Sequence, residues 1–194
     1  MKKGDYITTI LRSKKTVFSF KDIVLLWGDA NIHAARVRIN YYIKNNDLYR
    51  IRQGLYAKDK NYDKDELATR IFTPSYISFE TVLGREGVTF QYYSQIFVAS
   101  YLTRELTIDD QIYFFRKIKN TVLTNKAGVE DRGEYLMASK ERAFLDVIYI
   151  TKDYHFDNLS SLDWEKVFEI LPIYNNKRMT RKVKEFYNHF KKYQ

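Results

Sequence analysis

The chain contains no cysteine, which excludes a disulfide framework and every thiolate-ligated zinc site. Only 2 prolines and 7 glycines interrupt it, while 45% of its residues are hydrophobic and 16% aromatic. A low-complexity or disordered chain is therefore not expected. No run of 18 or more apolar residues exists, so no membrane-spanning helix is predicted. The segment MKKGDYITTILRSKK lacks the long apolar stretch and small-residue cleavage site of a secretory signal. A soluble, cytoplasmic protein with no membrane partner is expected.

Catalytic signatures are missing as well. There is no GxxxxGKS, GxGxxG, GxSxG or HExxH, the patterns that cradle phosphates, expose a nucleophile or hold zinc. The three histidines, His33, His155 and His189, are far apart, and none has a carboxylate or second histidine at ligand spacing. No cofactor, metal or catalytic residue is predicted.

What is abundant is positive charge. The formal net charge is +9, from 33 Lys/Arg against 24 Asp/Glu. Residues 1–58 hold 12 cations and 4 anions, residues 71–172 are net −4, and residues 173–194 are net +6. A basic head, an acidic middle and a basic tail point to a polyanionic partner and to at least two surfaces of different character.

The basic head has a readable order. DYITTILR, at 5–12, carries Tyr6, Ile7, Ile10 and Leu11 at helical spacing; residues 20–27 form a second helix between an N-cap at Ser19 and a stop at Gly28. Asp29 is expected to cap a third, ANIHAARVRINYYIKNND. At about 100° per residue, Ile32, Ala35, Ile39, Tyr42 and Ile43 share one side, the predicted buried stripe. His33, Ala34, Val37, Arg38, Tyr41 and Lys44 lie opposite, with Arg36 and Asn40 at the edge of the stripe.

The helix is followed at once by LYRIRQGLYAK. Tyr49 and Ile51 share one strand face and Arg50 and Arg52 the other; Gln53 and Gly54 turn the chain back. Three helices and then a hairpin with a cationic outer face is the order of a winged helix-turn-helix, in which the third helix enters the major groove and the hairpin follows the phosphates. The predicted DNA-binding set is Arg38, Tyr41 and Lys44 at the groove, His33 at its edge, and Arg50, Arg52 and Lys58 on phosphates, with Lys14 and Lys15 in reach of the same backbone.

An α+β fold is therefore expected, with the winged helix at residues 1–68 and a mixed α+β domain at 69–194. In the second domain, helices are predicted from Asp63, from Ser78 to Gly87, from Ser139, and at 163–171 and 178–192; strands are predicted at 96–102, 111–122 and 134–138. Ser78 is read as a cap with Glu80 in the first turn, and Arg142 with Asp146 as a structural i, i+4 ion pair. The cations of RKIK, 116–119, are read as guards on an exposed edge strand. The tail is a basic amphipathic helix with Met179, Val183, Phe186 and Phe190 on one side, expected to dock on the protein's own core.

Three segments then carry a resemblance: RIRQGLY from Arg50 to Tyr56, PSYIS from Pro74 to Ser78, and ASKERAFLD from Ala138 to Asp146. In this order, over residues 15–150, the chain resembles the AbiEi antitoxins of abortive-infection and type IV toxin–antitoxin systems. The resemblance implies a transcriptional repressor that binds inverted repeats in its own promoter, paired with a nucleotidyltransferase toxin encoded nearby and countered by the C-terminal domain. Two alternatives stay open: a winged-helix module that binds protein and no DNA, and a metal-dependent enzyme in residues 70–194 using Asp109, Asp110 and Asp146.

Overall fold

In the computed structural model, which describes residues 5–192, the fold is mixed α+β. The chain divides into two compact units, Met1–Ile71 and Phe72–Gln194.

The first unit opens with helix α1, Asp5–Arg12, and a short strand β1, Val17–Ser19, which has too few residues to show an alternation in the sequence. Helix α2, Phe20–Trp27, starts in a capping box: the Ser19 hydroxyl accepts from the Asp22 amide at 3.1 Å while the Asp22 carboxylate accepts from the Ser19 amide at 2.8 Å. It stops at Gly28, whose φ of 59° suits a residue without a Cβ. Helix α3, Ile32–Lys44, begins not at Asp29 but at Asn31, whose side-chain Oδ1 accepts from the His33 and Ala34 amides at 3.0 and 3.1 Å. Strands β2, Tyr49–Arg52, and β3, Leu55–Ala57, make the hairpin, and β1 pairs antiparallel with β3 to give the order β1-β3-β2. Helix α4, Lys64–Ile71, closes the unit and runs through positions 68 and 69, so the division falls at its end.

The core of this unit gathers Ile10, Phe18, Ile23, Trp27, Ala35, Ile39, Tyr42 and Leu48. Each large apolar side chain among them contributes about 1.5–3 kcal/mol on burial. The one polar atom of Trp27 is satisfied, its Nε1 donating to the Tyr6 carbonyl at 2.8 Å.

The second unit is built on a six-stranded mixed sheet. Its strands are β4 (Ser75–Ile77), β5 (Ile96–Ser100), β6 (Arg104–Ile108), β7 (Gln111–Lys117), β8 (Val129–Asp131) and β9 (Leu136–Ala138), ordered β6-β7-β5-β4-β9-β8. Three of these, β4, β6 and β8, were not predicted: β4 and β8 are three residues long, and β6 alternates only Leu106 and Ile108 with polar residues on a largely exposed strand. The segment 111–122 is strand only to Lys117 and then enters a short helix, α6, Asn120–Leu123. Helix α5, Phe79–Arg85, follows β4; α7, Lys140–Ile150, starts at Ser139, whose hydroxyl accepts from the Arg142 amide at 3.2 Å. Helices α8, Trp164–Ile170, and α9, Lys177–Lys192, complete the unit, joined by a 3-10 turn at Leu171–Tyr174. The basic tail docks on its own unit: Met179 and Val183 are buried, Phe186 packs on Phe144 and Phe156, and Phe190 lies on Trp164. No helix among the described residues is long and apolar enough to cross a membrane.

Candidate nucleic-acid interface

Helix α3 buries only Ala35, Ile39 and Tyr42, with Ile43 half-buried. Ile32, predicted in the same stripe, is 51% exposed, because the buried face begins one turn later at Ala35. Opposite that face, His33, Val37, Asn40 and Lys44 follow one another at i, i+4, i+7 and i+11 and form a continuous exposed line. Arg36 flanks the line on one side and Tyr41, edge-on to Tyr42 at 5.5 Å, on the other; both are exposed. Over about 1.5 Å per residue the line is roughly 16 Å long. The His33, Asn40 and Lys44 side chains make no hydrogen bond or ion pair among the described residues.

Arg38 has a different place. It is ion-paired with Asp29, and its guanidinium lies over the Tyr6 ring at 3.8 Å and the Trp27 ring at 5.4 Å. One turn before the buried Tyr42, it borders the core, so its long side chain turns inward onto the loop after α2. The Asp29 carboxyl is held below its ordinary value first by the hydrogen bond from Arg38 and then by the Asn31 amide. Arg38, predicted at the groove, is engaged here within the fold by Asp29 and the Tyr6 and Trp27 rings.

The remaining predicted cations divide in the same way. Arg50 and Arg52 are exposed on β2, alternating with the half-buried Tyr49 and Ile51, and neither has an ion-pair partner among the described residues. Lys14 is exposed. Lys15, in contrast, pairs with Asp22 at 3.1 Å, and the Lys58 ammonium donates to the Ser13 carbonyl at 2.5 Å. Lys15 belongs to a larger set: Arg70 reaches both Asp22 at 3.2 Å and Glu66 at 3.0 Å, and Glu66 accepts from the Thr16 amide and hydroxyl at 2.8 and 2.7 Å. Burial pushes the Asp22 carboxyl up, but the Ser19 hydroxyl and amide and the Lys15 ammonium outweigh it and hold it below the usual range.

So α3 and the hairpin keep His33, Tyr41, Lys44, Arg50 and Arg52 accessible, whereas Lys15, Arg38 and Lys58 are used within the fold. Arg36 and Asn40 are exposed residues that the periodicity had placed beside the core. The reason is angular: counting Ile32 and Ile43 into the stripe draws its centre toward Arg36 and Asn40, while the true buried face is centred near Ala35. From Ala30 to Lys58 the sole carboxylate is Asp47, so the positive potential of this segment is almost uncompensated locally.

The second unit holds the other candidates, and there the polar groups are turned to stability. Ser78 makes no cap bond; its hydroxyl donates to Asp146 at 2.8 Å. Asp146 also accepts from Tyr76 at 3.0 Å, Tyr174 at 2.7 Å and Arg142 Nε at 3.2 Å. The other four N–H groups of Arg142 go to Tyr76 and to the carbonyls of Val122, Asn125 and Ala127, at 2.7–3.3 Å. Arg142 and Asp146 are both 0% exposed. Burial opposes the Arg142 charge, but Asp146, Tyr174 and Tyr76 outweigh it and raise its pKa; burial, reinforced by Asp146, raises the two tyrosines. Ser78 is thus one of four donors, with Tyr76, Tyr174 and Arg142, that converge on the buried Asp146 carboxylate.

Asp109 and Asp110 sit in the β6–β7 turn, not with the buried Asp146. No group of three or more His, Asp or Glu side chains that would hold a metal occurs among the described residues. The RKIK segment is corrected too: β7 lies between β6 and β5, not at an edge, and Arg116 pairs with the buried Glu80 at 2.8 Å and stacks on Phe97 at 4.4 Å. No protein-family model matches the chain, and no curated protein matches it significantly.

Proposed function

We propose that the first unit is a winged helix that binds double-stranded DNA, with α3 in the major groove and the β2–β3 hairpin along the phosphates. The observation that carries this reading is the exposed line His33, Val37, Asn40 and Lys44 on one helix, joined by a short turn to a hairpin whose Arg50 and Arg52 are exposed. The helix order and the antiparallel β1-β3-β2 sheet support it, since a short strand ahead of the second helix pairing with the wing suits this DNA-binding arrangement. The exposed cations of α3 and the hairpin, Arg36, Lys44, Arg50 and Arg52, have no ion pair among the described residues and remain able to meet phosphates.

Taken with the resemblance to AbiEi antitoxins, the reading becomes a cytoplasmic repressor that binds inverted repeats in its own promoter and counters a nucleotidyltransferase toxin encoded nearby. It assigns the chain no catalysis. Fluorescence anisotropy of a labelled duplex from upstream of the reading frame tests the first part: saturable, salt-sensitive binding supports it, and a flat titration at low salt removes it. Co-expression with the adjacent reading frame tests the second, with restored growth as the expected outcome.

A further inference from the structure

We infer that α3 reads an A·T-containing half-site, Val37 packing on a thymine methyl group and the Asn40 side-chain amide pairing with an adjacent adenine; this rests on the DNA-binding reading above. Val37 is 69% exposed in the middle of a polar helix face, a position where a surface valine gains nothing from water. Beside it Ala34, Val37, Arg38, Tyr41 and Tyr42 line a shallow depression of about 430 Å³. The exposed face of α3 is therefore apolar toward Tyr41 and polar toward Arg36, with Asn40 between.

The major-groove edge of an A·T pair has the matching division: the thymine methyl on one base, and the adenine N7 acceptor and N6 donor on the other. An asparagine amide supplies the complementary donor and acceptor, and the Asn40 amide makes no hydrogen bond among the described residues. Val37 and Asn40, at i and i+3, are about 4.5 Å apart along the axis, between one and two base-pair steps of about 3.4 Å, so their side chains can reach neighbouring pairs. Arg38 does not compete for these bases, because Asp29 holds it at the edge of the core.

The test uses the full chain and a duplex selected by it from a randomised-sequence library, then resynthesised with deoxyuridine for thymidine, which removes only the methyl. The wild-type chain should bind the deoxyuridine duplex about fourfold more weakly, the equivalent of one buried methylene, whereas Val37→Ala should bind both alike with an unchanged salt slope. In parallel, 7-deazaadenine in the site should weaken the wild type roughly tenfold and leave Asn40→Ala indifferent. Equal wild-type affinity for the thymidine and deoxyuridine duplexes, or discrimination that persists in Val37→Ala, would overturn the inference while leaving DNA binding intact. Absence of any binding would overturn the DNA-binding reading itself and this inference with it.

Discussion

Helices α3 and α7 have similar lengths and both carry arginine, yet they treat charge in opposite ways. α7 buries eight consecutive residues, Glu141–Ile148, and all five N–H groups of Arg142 find acceptors inside the unit. α3 buries three residues of its 13 and leaves Asn40 and Lys44 without polar partners among the described residues. A saturated network is a device of folding: removing one member strands the others in a low-dielectric interior. An unsaturated row on a rigid helix costs nothing while water solvates it and is free to meet a ligand. Within α3 the contrast repeats on a smaller scale, between Arg38, fastened to Asp29 and Tyr6, and Arg36, which is exposed.

The largest effect is expected at the saturated pole. Arg142→Ala should cost about 3–5 kcal/mol of stability, because Asp146 is left charged and buried; urea denaturation followed by circular dichroism measures it. A loss below about 1 kcal/mol would mean that the network is not what holds this unit together. At the unsaturated pole, Arg50→Ala with Arg52→Ala should leave the denaturation curve in place, weaken binding to all duplexes roughly tenfold, and flatten the salt dependence by about two units of slope. Stability lost with unchanged affinity would reverse the comparison.

A smaller effect is expected at the N-terminus of α2. Ser19→Ala removes the cap and should cost about 1 kcal/mol, with a distinctive pH signature. The folded Asp22 carboxyl titrates below its unfolded value, so its contribution is fully present above that unfolded value, near pH 4, and is lost as pH falls through the folded one. Without the Ser19 hydroxyl the acid midpoint of unfolding should move upward; thermal melts between pH 2 and pH 6 would show it.

The smallest effect on recognition belongs to Arg38→Ala. It should lower the melting temperature by loosening Asp29 and Tyr6, yet leave the preference for a selected site over random DNA unchanged, whereas Arg36→Ala should reduce that preference. Competition binding with both variants separates them, and a specificity loss in Arg38→Ala alone would return that residue to the groove.

Much of the first unit was legible from one dimension. The N-cap at Ser19, the stop at Gly28 and the Arg50/Arg52 alternation are local devices, set by residues within a few positions of each other. Strand β1 was invisible because its three residues acquire meaning only through pairing with β3. The edge-strand reading of RKIK failed for a related reason, since whether a strand is an edge depends on β5 and β6, which are neighbours in space. Arg36 and Asn40 were misplaced by apolar residues at both ends of α3 that the fold leaves partly outside the core.

The amino-acid order alone determined the helices of the basic head, the hairpin and the uneven charge, because periodicity, caps and turns act over a few residues. Which cations stay available was decided only in three dimensions. Asp29, Asp22 and the Ser13 carbonyl neutralise or engage Arg38, Lys15 and Lys58 across folded distances. Charge can be counted along a chain, but its pairing is a property of positions in space, and Coulomb energy and hydrogen-bond geometry are set by those positions.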